Sequence, residues 1–326
     1  MAYPEFVQAP TQHEVHKQLA GAPLGPDSLL WRYFDNRMAF QASAGVKQLM
    51  MHGIDAGVAQ HSNFFNEIVE RTMRSMAQIG DTVFDQEKGA CIGRVIRDQH
   101  VNVKGIDATG KRYHALHPQL FADTHLTFVD GVFDVADRFD NHELTHAERE
   151  QLYQETVTWY HQYGVSDRNL PPNYGEYKQR SDELAESYVL TDTAKAALTY
   201  AIKGKLPRPN VVPAPVWSML GVPMKPATNF VGSLIVSGLP EQVRDKYKKE
   251  IPYSHTDNVQ VQLFEVAVKN AWPNAPGWVR YPEAAYAALR REGKYSGVSD
   301  HLYAAGRGVG SMALKAAGAL RERLRS

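Results

Sequence analysis

The sequence predicts an all-α fold, a single globular multi-helix domain with one short β-hairpin near residues 101–115. Apolar residues recur at i, i+3, i+4 and i+7 through most of the chain, the spacing of one helix face. Helix punctuation recurs with them: Ser28, Pro118 and Thr145 stand ahead of apolar runs, and Gly164 stands behind one. No series of alternating apolar and polar residues bounded by turns supports a larger sheet.

The elements follow in order. Residues 1–27 are polar and broken by Gly21, Pro23, Gly25 and Pro26, and read as an extended arm. Asp27 or Ser28 caps a helix carrying Leu29, Leu30, Trp31, Tyr33 and Phe34. Residues 43–60 hold Val46, Leu49, Met50, Ile54 and Val58 at helical spacing, and a third helix over 62–80 runs from Ser62 through Phe65, Ile68, Val69, Thr72, Met73 and Met76. In a fourth, over 86–104, Ile92, Val95, Ile96, Gln99 and Val103 form one stripe. His100 lies on that stripe one turn beyond Ile96, and Gly105 is expected to close the helix. Residues 107–110 read as a turn that lets 101–105 pair with 112–115.

Pro118 opens a helix through Leu120, Phe121, His125, Phe128 and Val132. Thr145 and Glu148 form a capping-box pattern before a helix through Leu152, Tyr153, Val157 and Tyr160, closed by Gly164. Helices over 174–188 and 192–203 come next. Pro207, Pro209, Pro213 and Pro215 then mark a linker that reads as a long loop rather than a hinge. Segments 230–236, 241–248, 258–268 and 283–291 are helical in pattern. The domain organisation is therefore an arm over 1–27, a helical domain over 28–295 and a tail over 296–326. Within the tail, 312–324 is amphipathic and basic, with Lys315, Arg321 and Arg323.

Composition narrows the function classes. A chain of 326 residues that is 43% hydrophobic can bury a sizeable core. Lys+Arg and Asp+Glu are both 36, so no basic field points to nucleic acid. Cys91 is the single cysteine, which excludes an intrachain disulfide framework and a cysteine-rich zinc site; it reads as a small core residue. No stretch reaches the ~18 apolar residues that span a bilayer, and the first residues carry no apolar run of a signal peptide. A soluble, cytoplasmic protein is expected.

Several chemistries can be set aside. Glu143 and His146 have Glu-x-x-His spacing, but Thr145 is the expected N-cap between them, so the two side chains do not share a helical face. Phe84, Cys91 and Gly93 match part of a haem-thiolate loop, yet Glu87 occupies its glycine position, and the Glu-x-x-Arg pair Glu241 and Arg244 follows the cysteine instead of preceding it. Covalent-haem, nucleophile-elbow, phosphate-loop and zincin motifs are missing from the sequence. What remains is a set of histidines and an arginine around one apolar interior: His52, His61, Arg71, Thr72, His100 and His125. Each has a plain reading. His100 is either a satisfied core histidine or the ligand of something buried. Arg71 reads as solvated and His125 as a core residue. Thr72 either bonds back to its own helix or faces a ligand. His61 and Ser62 read as a helix junction with Ser62 as cap.

Taken in order, other segments add to this set. They are Gly57-Val58-Ala59-Gln60-His61-Ser62-Asn63-Phe64, Arg71-Thr72, and His100-x-x-Val103-x-Gly105. Gly110 to Ala115, Pro118-x-Leu120, His125 and Thr127 follow, and then Ala147-Glu148-Arg149, Tyr153, Glu155, Gly164-Val165 and the stretch 171–177. In this order the chain from about 29 to 291 resembles the MpaB/latex-clearing (rubber) oxygenase family, formerly a domain of unknown function. The resemblance implies an all-helical fold enclosing one haem b, with the histidine of His-x-x-Val-x-Gly, here His100, as the iron ligand. It also implies that Thr72 and Arg71 line the distal side or anchor the cofactor. Arg94, Arg97 and Arg112 are candidate cations for the propionates, and His125 is the alternative ligand. Where the family has the arginine of Arg-x-x-x-Thr this chain has Ile68, and where rubber oxygenases have a catalytic carboxylate it has His52; His52 or His61 is the acid/base candidate. The implied partners are O2 and a hydrophobic, unsaturated small molecule, with a homo-oligomer allowed. The alternative is a haem- or lipid-binding helical protein without turnover.

Overall fold

The computed structural model describes residues 24–62, 68–203 and 229–294. The arm before residue 24, the stretch 63–67 with Phe64 and Phe65, the proline run 207–215 and the tail 296–326 lie outside the described residues.

Ser28 opens α1 (Leu29–Tyr33), its hydroxyl accepting from the Trp31 amide. A 3-10 turn at Asn36–Phe40 leads to α2 (Ser43–Leu49) and α3 (His52–His61). The single helix expected over 43–60 is thus broken at Met50 and Met51, where Met51 takes an extended conformation. Next come α4 (Ile68–Phe84), α5 (Gly89–Gln99), the hairpin β1 (Lys104–Ile106) and β2 (Arg112–His114), α6 (Pro118–Phe139) and α7 (His146–His161). They are followed by α8 (Tyr174–Ser187) and α9 (Asp192–Ile202), then α10 over 229–237. The last helices are α11 (Glu241–Lys246), α12 (His255–Ala271), α13 (Gly277–Arg280) and α14 (Glu283–Arg291). Among the described residues the one sheet is this antiparallel hairpin, with Gly105 opposite Tyr113.

The fold is built around α6. Pro118 stands in its first turn, where a missing amide costs nothing. Its 22 residues make a rod of about 33 Å that buries Ala122, His125, Leu126, Val129, Val132, Phe133, Val135, Ala136 and Phe139. Helices α1, α2, α7, α8 and α12 pack around it. Thr145 and Glu148 complete the capping box of α7, and Gly164 beyond its end has φ +61, as a helix stop in the left-handed region requires. A buried clasp ties α1 to the far end of α6: Arg37 meets Asp35 at 3.0 Å and donates to the Phe139 carbonyl at 2.9 Å.

Helices α4 and α5 form an antiparallel pair beside this core. Gly93 of α5 comes so close to the backbone of Gln162, past the end of α7, that a Cβ there would strike the Gln162 carbonyl. Helix α14 lies against α4. The hairpin rests on α3, where Gly57 leaves room for Val103 and Tyr113.

Three expectations need correction. The fourth helix is α5, which ends at Gln99 instead of running to 104, because the chain turns at His100 to enter β1. Gly105 does not close a helix. It sits in β1, and a side chain there would collide with Gln60 and Tyr113, so the glycine permits the hairpin to meet α3. Cys91 is exposed, not a core residue, because it lies on the outer side of α5, opposite Gly93 and Arg97.

Candidate functional site

Two of the expected residues, His100 and Arg71, meet at the carboxyl end of α5. His100 is its C-cap, with backbone angles still near helical and its amide bonded to the Arg97 carbonyl. The His100 side chain turns back along the helix, and Nδ1 donates to the Ile96 carbonyl at 2.7 Å. A carbonyl can only accept, so the proton is on Nδ1 and Nε2 carries the lone pair. Nε2 has no hydrogen-bond partner among the described residues. Burial holds this imidazole below its ordinary pKa, the bond to Ile96 opposes that shift, and the nearby Arg71 charge reinforces it. The result is a neutral ring with one nitrogen fixed by a backbone carbonyl and the other uncommitted. Metal-bound histidines share this orientation.

Arg71 is brought to His100 from α4. It is half-buried where a solvated side chain is expected, and burial together with Arg74 lowers its pKa. The two helices also carry apolar side chains of graded exposure. Ile68 and Met76 on α4 and Ile96 on α5 are half-buried, while Met73 is 70% exposed and Val95 47% exposed. Thr72 shares this part of α4. Its side chain is exposed, and its hydroxyl donates to the Ile68 carbonyl at 2.6 Å, so the back-bonded alternative is the one realised.

The remaining candidates are spread more widely. Arg97 is buried, paired with Asp98 at 2.7 Å and close to the Gly164 carbonyl, so it joins α5 to the end of α7. Arg94 is half-buried a turn earlier, and Arg112 is exposed on β2 opposite Ile106. His61 is exposed, and its Nε2 donates to the Lys104 carbonyl at 3.1 Å. With Gln60, which donates to Ile106, it clips α3 to the hairpin. Ser62 is the C-cap of α3, its hydroxyl donating to the Val58 carbonyl at 2.7 Å; the cap expected for the next helix falls on a stretch outside the described residues. His125 is a core residue. Its Nε2 donates to the Thr156 carbonyl, its ring lies 4.4 Å from Trp159 and 4.9 Å from Tyr160, and burial pushes its pKa down to about 3.

His52 opens α3, half-buried and within electrostatic reach of Asp107 in the hairpin turn. Its Nδ1 is buried without a hydrogen-bond partner among the described residues, and so is Oδ1 of Asp55 one turn further on. Two orphaned polar atoms on successive turns cost about 1–3 kcal/mol each unless a bound group satisfies them. Asp55 was not among the sequence candidates; its i+3 spacing from His52 was the available signal.

A group held by one imidazole nitrogen, flanked by apolar side chains and an arginine, fits this donor set. Haem b is such a group: an apolar macrocycle with an axial bond and anionic propionates. No group of three or more histidine, cysteine or acidic side chains that could hold a bare metal ion occurs among the described residues, and no described helix is long and apolar enough to cross a membrane. No curated protein and no solved structure matches the chain. The family model of the ER-bound oxygenase mpaB/B'/rubber oxygenase catalytic domain does match, over residues 31–270, from the base of α1 to the end of α12 and including both His100 and Arg71; the chain belongs to that family.

Proposed function

We propose that this protein is a haem b-dependent oxygenase that acts with O2 on a small, hydrophobic, unsaturated substrate. The observation that carries the reading is the His100 imidazole, neutral, oriented by Ile96 and uncommitted at Nε2. When bound, haem supplies the iron at which O2 is activated. The chain's own residues supply the rest. His100 donates its Nε2 lone pair, and the Ile96 carbonyl fixes the ring and raises its basicity. Arg71 offers a cation of the planar kind that pairs with a carboxylate such as a propionate. Ile68, Met76 and Ile96, half-buried on α4 and α5, offer apolar surface for a hydrocarbon. His52 is the acid/base candidate, its buried Nδ1 without a partner among the described residues and Asp55 one turn away.

The test is a spectrum. Protein produced with added iron and haem precursor is expected to show a Soret band that shifts with cyanide or imidazole, the behaviour of an open axial position. His100→Ala is expected to fold with little or no haem. If that variant keeps full haem and an unchanged spectrum, His100 is not the ligand and His125 is the next to remove. The reduced carbon monoxide complex distinguishes the thiolate case: a red-shifted band abolished by Cys91→Ser would transfer the iron to Cys91.

A further inference from the structure

Helix α12 is turned the wrong way round for a solvent-facing helix. It packs on α6 through Val261 and Val268. All three of its formally charged residues are engaged on the protein side. Asp257 accepts from Ser233 at 2.6 Å, Glu265 pairs with Arg138 at 2.7 Å, and Lys269 donates to the Asp137 carbonyl at 3.2 Å. The outward face carries Thr256, Val259, Gln260, Gln262, Leu263, Val266, Ala267, Asn270 and Ala271, with His255 at its amino end. Leu263 is 65% exposed and Val266 56% exposed, and they line up with Val259 at i, i+4 and i+7. An amphipathic surface helix places its charges outward and its aliphatics inward. Here the exposed stripe is aliphatic at its centre, amide and small at its edges, and free of Asp, Glu, Lys and Arg.

We infer that this face is a homodimer interface in which α12 pairs antiparallel with α12 of a second copy. A two-fold interface must complement itself. A face with no formal charge meets its own image without like-charge repulsion. Leu263 is the middle residue of the 17-residue helix, so a two-fold axis there sets residue pairs symmetrically about it. Val259 of one copy then meets Ala267 of the other, large against small, and Thr256 meets Asn270, donor against acceptor. The other occupants fit less well. A lipid surface selects helices with basic and aromatic residues flanking the apolar stripe, and this face has neither. The basic segment 312–324 would find no acidic partner here. The outward face numbers ten residues, below the 20–30 per side of a standard interface, so the dimer should be weak, in the micromolar range.

The experiment is sedimentation velocity on the full haem-loaded chain, from low micromolar to several hundred micromolar. Reversible dimerisation is expected in the wild type. Leu263→Glu is expected to be monomeric throughout with an unchanged melting temperature, since the side chain is exposed. Cys91→Ser combined with Leu263→Cys should form a disulfide-linked dimer on mild oxidation, and Cys91→Ser combined with Met73→Cys should not. A wild type that stays monomeric at the highest concentration overturns the inference, as does a dimer that Leu263→Glu leaves intact. A monomeric wild type that loses melting temperature in Leu263→Glu assigns the face to another segment of this chain, and one that binds neutral vesicles through Leu263 assigns it to lipid. Both results reject the dimer.

Discussion

His125 makes a quantitative demand on the protein's response to acid. In the folded chain its pKa is pushed down from 6.5 to about 3 by burial, so it stays neutral at any pH near physiological. In the unfolded chain it takes up a proton below pH 6.5. Stability from this group is therefore complete above pH 6.5 and lost as pH falls from there toward about 3. At 1.36 kcal/mol per unit the full amplitude is about 5 kcal/mol, of which about 2 kcal/mol is gone by pH 5. His100 shifts in the same direction and adds to the slope, so the measurement has to be a difference. His125→Gln keeps a donor for the Thr156 carbonyl and removes the titration. Urea unfolding of both proteins at pH 7, 6 and 5 is expected to show the wild type losing about 2 kcal/mol more than the variant between the extremes. Equal losses would mean that His125 titrates normally and is not enclosed by Trp159, Tyr160 and Tyr163.

Gly93→Ala should cost about 3 kcal/mol in a thermal or denaturant melt, because its Cβ would meet the Gln162 backbone and not a movable side chain. Thr72→Val should change stability by less than about 0.5 kcal/mol and leave haem content unchanged, because the exposed hydroxyl serves only its own helix at Ile68. Incubated with polyisoprene latex under oxygen, the haem-loaded protein should release few or no carbonyl-ended fragments. Ile68 cannot donate to bound oxygen, and one such donor is worth about 2–4 kcal/mol in a transition state. Cleavage as fast as that of a rubber oxygenase run alongside would refute this.

Local signals were the legible part of this sequence. The Ser28 cap, Pro118 at its helix start, the Thr145–Glu148 capping box and the Gly164 stop depend on residues within one turn of each other, and all stand in the structure. The hairpin is present, its first strand starting three residues and ending one residue later than expected. What periodicity could not convey is whether an apolar stripe is covered. The stripe of the fourth helix extends through Val103, yet the chain leaves the helix at His100 because the pairing of Lys104–Ile106 with Arg112–His114 takes over the next backbone groups. Gly105 has the composition of a helix stop and the function of a close contact, a difference visible only once Gln60 and Tyr113 are placed. Arg71 read as solvated because charged residues are rarely fully buried; its partial burial comes from the fold. On α12 the pattern marks helix over 258–268, and Ser254 with Asp257 is a capping box that extends it, but the outward direction of Val259, Leu263 and Val266 follows from where Arg138 and Ser233 lie.

The choice between two histidines rests on space more than on protonation. His100 and His125 are both held neutral by burial, and each donates one ring nitrogen to a backbone carbonyl. By tautomer alone either could present a lone pair to iron. They differ in what stands beyond the ring. Trp159 and Tyr160 pack on His125 with ring centroids 4.4 and 4.9 Å away, a spacing already filled by contact, so a macrocycle could enter only by displacing side chains that are fully buried. His100 ends a helix beside a half-buried arginine, its Nε2 without a hydrogen-bond partner among the described residues and no aromatic ring packed on it there. A cofactor that reached His125 would first have to undo the packing among α4, α6 and α7, including the 2.8 Å bond from Trp159 to Thr82. The proposed site is therefore assigned to the end of α5, because the core is finished everywhere that His125 can reach, whereas Nε2 of His100 is uncommitted among the described residues.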